Sequence, residues 1–263
     1  MGKILKLENC DKNALLSLVK QMVVVDKYMN IRVSKEFTDS SSYTGQKDVV
    51  KYIKTENASL FESKYELDKP VRMCFINGVK IMLYLNQFDI DKVNLEIRYE
   101  EYEDEYYATR VTFLGGDLKM TEMCADRQYD GINIAPIKDE IMQKLLDTSN
   151  TTVNFDISKD TVKSMKALCG IEKNTSWFEY VIADSKISVR ERTDLEEEDS
   201  VFFNKVISDT EYDDEALVVL CKKNVFEAMN TLLDYNVCIC NDDSKIVYKH
   251  EEKDSETYII AAI

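Results

Sequence analysis

Two periods of apolar residues alternate along this chain. A period near 3.6 runs through "DKNALLSLVKQMVVVDK" (11–27), within "DKPVRMCFINGVKIMLYLNQF" (68–88), through "SKDTVKSMKALCG" (158–170) and through "KKNVFEAMNTLLDY" (222–235). Each stretch predicts an amphipathic helix, because every third or fourth residue returns to the same face. Ser158 suits the N-cap of the third helix and Gly170 its C-cap, while Pro70 suits the first turn of the second. Between these stretches the period falls to two, with many β-branched and aromatic residues. Strands are expected at 28–34, 49–55, 59–67, 93–101, 106–114 and 117–123. A second set is expected at 176–184, 186–193, 200–208, 216–221, 236–241, 245–251 and 257–263. Short polar links such as "ADSK", "GGD" and "NDDS" are turns between antiparallel neighbours.

The order of elements then repeats. An offset of 147 aligns Lys12 with Lys159, Ser17 with Ser164 and Leu18 with Met165. The same offset aligns Cys74 with Cys221, Asn77 with Asn224, Met82 with Met229 and Leu85 with Leu232. One offset serving both pairs of helices predicts an α+β chain made of two similar modules, 1–124 and 151–263, each with antiparallel sheets and two helices lining one face. Residues 125–150 are left over as a connector, apolar enough to lie on the body of the protein.

Composition narrows the class. The 263 residues hold 44% hydrophobics with 15 Tyr and 10 Phe, enough to fold and too many for disorder. No apolar run approaches the roughly 18–20 residues that cross a bilayer, and "MGKILKLENC" lacks a signal-peptide core, so a cytoplasmic protein with no membrane partner is expected. The seven cysteines are expected as buried free thiols, Cys238 and Cys240 facing one side of a strand.

Charge changes the picture more. The chain carries 34 Lys+Arg against 49 Asp+Glu, a formal −15. Residues 11–27, 69–88, 158–169 and 222–233 of these stretches nevertheless hold a surplus of seven positive charges, leaving −22 on everything else. Lys159, Lys163 and Lys166 span about 60° of their helix; Lys12, Lys20 and Lys27 span about 80°, as do Lys69, Arg72 and Lys80. Lys222 and Lys223 open the fourth helix. Any one such face is an ordinary solvated stripe. Four cationic helices in an anionic chain suit a polyanion held through its phosphates without sequence readout, with the acidic remainder steering it to one surface.

Local cues agree with this. "DLKMTEMCAD", "YDGINIAP" and "ETYIIAAI", together with the doubled order of elements, resemble the DNA sliding clamps: the strand closing a first domain, the interdomain connector after it, and the closing C-terminal strand. Two modules of this size match the subunits of trimeric clamps of phage, archaeal and eukaryotic type, and the distance from cellular sequences suggests a viral, phage-encoded member acting in the host cytoplasm. The resemblance implies a homotrimeric ring around double-stranded DNA, with the helix lysines and Arg72 facing the duplex. It implies subunits joined by antiparallel pairing of 117–124 with 200–207 of the next copy. It also implies docking of DNA polymerase and clamp loader through a short apolar peptide, in a pocket for which Ile132, Ile134, Ile259, Ala261 and Ala262 are the candidates.

Catalytic chemistry has little to stand on. The one histidine, His250, lies in a strand-like stretch with no nucleophile nearby, and neither a phosphate-binding loop nor a dinucleotide fingerprint occurs. The reading therefore assigns no catalytic residue, metal or cofactor. Two alternatives stay open: an acidic phage protein that mimics DNA, and a metal-dependent nuclease using a cluster such as "EEYEDEYY".

Overall fold

The computed structural model describes residues 2–63, 65–125, 137–171, 176–192, 203–212 and 215–263. In chain order come β1 (Lys3–Asp11), α1 (Lys12–Val23), β2 (Met29–Val33), β3 (Phe37–Tyr43), β4 (Val49–Glu56), β5 (Val71–Phe75), α2 (Gly78–Asn86), β6 (Lys92–Tyr102), β7 (Glu105–Gly115) and β8 (Leu118–Met123). A further helix, α3 (Asp139–Leu146), follows. Then come β9 (Val153–Ile157), α4 (Lys159–Ile171), β10 (Trp177–Ala183), β11 (Lys186–Glu191), β12 (Asn204–Asp209), β13 (Leu217–Lys222), α5 (Lys223–Ala228), β14 (Tyr235–Cys240), β15 (Lys245–Glu251) and β16 (Ser255–Ala262). With α3 set aside, the order βαββββαβββ occurs twice.

The chain divides into two compact units. Unit 1 is Met1–Gly45, Lys51–Asp139 and Glu251–Thr257; unit 2 is Gln46–Val50, Glu140–His250 and Tyr258–Ile263. In unit 1 the strands run in the order β1-β6-β7-β5-β2-β3-β4, with β8 paired to β7 further along the edge that β5 touches. The pairs β1–β6, β2–β3, β2–β5, β6–β7 and β7–β8 are antiparallel, while Val71 and Arg72 make a two-residue parallel contact with Tyr106 and Tyr107. In unit 2, β12-β11-β10-β13 form one sheet, and β15, β14 and β9 pair in that order in the other.

Period-two burial makes these strands. In β2, Met29, Ile31 and Val33 enter the core; in β5, Val71, Met73 and Phe75 do so; in β6, Val93, Leu95, Ile97 and Tyr99. The same core takes Leu16, Leu18, Val19 and Met22 of α1 and Ile81 and Leu85 of α2, so both helices lie on one face of the sheet. In unit 2, Phe178 and Tyr180 of β10 meet Phe226 of α5 at ring-centroid distances of 5.4 and 6.3 Å. Tyr180 also meets Phe155 of β9 edge-on at 5.7 Å. The Tyr248 hydroxyl, fully buried, sits 3.1 Å from that of Tyr180 and 3.2 Å from the Cys221 thiol.

Turns follow their local chemistry. Glu103 and Asp104 (φ 47 and 64) form the two-residue link of the β6–β7 hairpin, and Asp184 and Ser185 (φ 52 and 57) that of β10–β11. "EEYEDEYY" is therefore a hairpin tip. All seven cysteines are free thiols, with Cys238 and Cys240 both buried in β14.

Several expectations need correcting. The second helix does not run from 69: residues 71–75 are β5, and α2 starts only at Gly78, where the Asn77 side chain caps the Lys80 N–H at 3.2 Å. Pro70 precedes a strand. The fourth helix ends at Ala228 because Met229 is extended and the Asn230 side chain takes the Leu232 N–H at 3.0 Å, an Asx turn competing with the helix. The expected strand at 59–67 is a 3-10 turn (Asn57–Ser59) followed by irregular chain. Its organiser is the buried Asn57 amide, which donates to the Ser34 carbonyl (2.9 Å) and the Tyr65 hydroxyl (2.8 Å).

Candidate nucleic-acid interface

Each unit packs its two helices as an antiparallel pair. In unit 1 the Gly78 N–H, at the start of α2, donates to the Lys27 carbonyl just beyond the end of α1 (2.7 Å). At the other end the Lys12 ammonium donates to the Phe88 carbonyl (2.8 Å). Gly78 permits the approach: a Cβ there would lie 2.7 Å from Val23 Cγ2 and 2.8 Å from Met29 Sδ. In unit 2 the Lys159 N–H, opening α4, donates to Asp234 Oδ1 beyond α5 (2.6 Å), and the Lys166 ammonium donates to the Met229 carbonyl at the end of α5 (2.7 Å).

This divides the predicted cations into two kinds. Lys12 and Lys166 are half-buried and answer unpaired carbonyls at the end of the neighbouring helix, where a positive charge suits the dipole. Burial lowers the Lys166 pKa, with Glu227 opposing. Each ammonium spends one of its hydrogen bonds inside the protein. Lys20, Lys27, Lys159 and Lys163 are exposed. Among the described residues, Lys20 and Lys159 pair with no carboxylate through their ammonium groups, Lys27 lies over the Tyr28 ring at 5.1 Å, and Lys163 has a loose partner in Asp160 at 3.4 Å. Lys80 is exposed but bonded to Glu122 of β8 at 2.6 Å, which raises its pKa together with Tyr84.

Lys69 and Arg72 leave the helical set altogether. Lys69, ahead of β5, pairs with Glu101 at 2.8 Å; Arg72, on β5, pairs with Glu105 at 3.1 Å and its side chain is 11% exposed. Lys222 ends β13, is ion-paired with Asp48 and lies 4.9 Å over Trp177. Lys223 is half-buried at the start of α5. The bounds of α1, α2, α4 and α5 enclose charges of +2, +1, +2 and 0, so these helices carry +5 within a chain of −15.

Between the ammonium groups of α1 and α4 the exposed side chains are small, whereas α2 exposes Val79 and Leu83. On α1, Asn13, Ser17 and Lys20 fall at i, i+4 and i+7; on α4, Lys159, Lys163, Ala167 and Gly170 follow the same rule. Backbone-sized side chains between ammonium groups let a rigid surface approach closely while the charges reach past them.

Of the pocket candidates, Ile132 and Ile134 lie outside the described residues. Ile259 and Ala261 are fully buried in β16 and serve the core of the chain itself; Ala262 is exposed. The last residues are held by backbone, Ala262 N–H to the Asp48 carbonyl (2.9 Å) and Ile263 N–H to that of Ser244 (3.0 Å). Of the predicted edges, β8 and β12 each end a run of paired strands within the described residues, and each exposes an apolar side chain, Met123 (63%) and Val206 (56%). Residues 200–202 of the second edge are outside the described residues.

Sequence reading missed a row of buried charge on the other sheet face of unit 1, Asp39, Arg32 and Arg72 on adjacent strands. Its signal was present: the polar residue of "MNIRV" and of "VRMCF" stands out of phase with the core positions. His250 is part-exposed in β15, its Nδ1 2.7 Å from the Asp234 carbonyl. No group of three metal-ligating side chains occurs among the described residues, and no helix among them is long and apolar enough to cross a membrane.

A doubled βαββββαβββ order with a helix pair on one sheet face in unit 1, and a matching antiparallel pair in unit 2, defines the DNA sliding-clamp fold. Solved sliding clamps are similar to this chain in fold. The Helicobacter pylori beta clamp, in complex with 5-chloroisatin, superposes with a TM-score of 0.69 at 10% identity over 99% of this chain, which spans 65% of that protein's length. Proliferating cellular nuclear antigen from Entamoeba histolytica gives 0.65 at 8% identity, covering 100% of this chain and 99% of that one. Archaeoglobus fulgidus PCNA, solved with the C-terminal region of FEN-1 bound, gives 0.63 at 8% identity over 100% and 98%. No protein-family model and no curated protein sequence matches the chain.

Proposed function

We propose that this protein is a replication sliding clamp: three copies close into a ring around duplex DNA and tether a DNA polymerase for processive synthesis. The observation that carries the reading is the charge of the helices. They are net positive in a −15 chain, and Lys20, Lys27, Lys159 and Lys163 leave their ammonium groups in solvent. Point charges at phosphates hold DNA without reading its sequence, which is what sliding requires. A three-copy ring is favoured by the likeness to the two nuclear-antigen structures, which this chain covers over 99% and 98% of their lengths. Subunits join through β8 of one copy and β12 of the next, which satisfies two open edges. Polymerase and clamp loader dock by a short apolar peptide beside Ile132, Ile134 and Ala262, a role supported by the FEN-1 segment bound to the archaeal relative in fold. The protein itself does no bond chemistry.

A topological assay tests this. The protein is threaded onto linear duplex, and both ends are then blocked with bulky protein caps. The expected result is retention between blocked ends and loss within minutes from free ends at the same salt. Equal retention on both templates contradicts encirclement.

A further inference from the structure

Arg32 on β2 and Arg72 on β5 face each other directly across the sheet, on the side away from the helices. Two like charges at opposed positions repel, more so where water is excluded, and these side chains are only 14% and 11% exposed. Carboxylates answer them from three directions. Asp39, opposite Arg32 on β3, accepts from its Nε at 2.7 Å. Glu105, at the start of β7, takes Arg72 Nη2 at 3.1 Å. Asp139 Oδ1 lies over both, in contact with Arg32 Nη1 and 3.6 Å from Arg72 Nη2. Burial raises the Asp39 pKa while Arg32 pulls it down; burial opposes the charge on Arg32, and Asp39 and Asp139 outweigh it.

Among the described residues, Asp39 and Glu105 each contact one arginine directly, and Asp139 lies within ion-pair distance of both. It is also the one member of the set that does not come from a strand: it opens α3, at the far end of the chain that leaves β8. The near end of that chain is fixed by backbone, Cys124 N–H to the Thr109 carbonyl (3.1 Å) and Ala125 N–H to that of Cys74 (2.8 Å). Cys74 is the second residue after Arg72 on the same strand and shares its face.

We propose that Arg32 and Arg72 are positioning residues: they hold Asp139, and with it the end of the β8–α3 connection, against the sheet face opposite the helices. The purpose given to that connection, bordering a partner peptide, rests on the clamp reading; the clasp itself does not. Because the Asp139 side chain is 58% exposed, salt reaches its side of the clasp.

Trypsin cleavage after the exposed Lys138, beside the clasp, reports its opening, since a protease needs several residues of freed chain. Asp139→Asn removes one charge from the bridge; the expected result is cleavage roughly tenfold faster, with Asp139→Glu within about threefold of the parent. Raising salt to about 1 M, where the Debye length is roughly 3 Å, is expected to speed cleavage of the parent and leave Asp139→Asn unchanged, both measured against a denatured substrate as control. The salt response of the parent stands as a test even if Asp139→Asn folds poorly. Equal cleavage of parent and Asp139→Asn, or a parent rate indifferent to salt, overturns the clasp. Retention on end-blocked DNA is expected to be the same in all three proteins, so failure of the clasp and failure of the ring are separate results.

Discussion

The fourfold variant Lys20→Glu, Lys27→Glu, Lys159→Glu, Lys163→Glu is expected to lose retention on end-blocked DNA by more than about tenfold while keeping its secondary structure and mass. These ammonium groups are exposed and hold no tight ion pair, so their replacement falls in the range of ordinary surface substitutions, within about 0.5 kcal/mol each. Binding responds differently, because each phosphate contact contributes about one unit to the slope of log affinity against log salt. The slope is expected to flatten by up to about four units per subunit in contact with the duplex, and less where a water stands between ammonium and phosphate. Lys12→Glu and Lys166→Glu provide the contrast. Their ammonium groups are committed to the Phe88 and Met229 carbonyls, so reversal there is expected to lower stability by about 1–2 kcal/mol, read by denaturant midpoint. A DNA mimic built on carboxylates would be indifferent to the first variant.

Assembly gives the second large effect. The double variant Met123→Asp, Val206→Asp places a charge on both free edges. In the single chain both side chains are exposed, so the fold is expected to tolerate the change. At a closed interface each charge would be desolvated against backbone. A loss of at least about 2 kcal/mol per contact weakens association roughly thirtyfold. Sedimentation is expected to show the single-chain species at micromolar concentration, and retention between blocked ends is expected to disappear with it.

Much of this was readable in the chain because burial and period agree. β6, β10 and β11 alternate cleanly, and the "ADSK" turn has the left-handed pair that a two-residue hairpin needs. The strands that escaped are those where the rule has another cause. β3, "FTDSSSY", looks like a loop because its buried positions are serines; Ser40 and Ser42 hydroxyls there donate to the Asn30 and Tyr28 carbonyls, so polar groups are satisfied inside. β5 reads as helix because "VRMCFINGVKIMLYL" is apolar on both periods, and only the Asn77 cap marks where one ends and the other begins. β1 carries a register shift between Leu7 and Cys10, with Asn9 at φ 51, which breaks its alternation.

The candidate site was legible in kind and less so in detail. Charge count alone pointed to the helices, yet a lysine on a helix face has two uses, reaching solvent or closing a neighbouring helix. Lys166 and Lys163 stand three residues apart, and only tertiary packing assigns them to opposite roles. Arg72 illustrates the same limit: its row with Arg32 and Asp39 forms from strands that are 40 residues apart in the chain or close to it. Ile259 and Ala261 are pocket candidates only through the resemblance of "ETYIIAAI" to a clamp's closing strand, and that resemblance does not tell which of its residues face inward; these two are buried.

The most direct measurement is the mass of the untagged protein by light scattering across a concentration series. A species near three times 30.5 kDa, persisting on dilution, is what a closed ring of this chain predicts. A single 30.5 kDa species at the highest attainable concentration contradicts it.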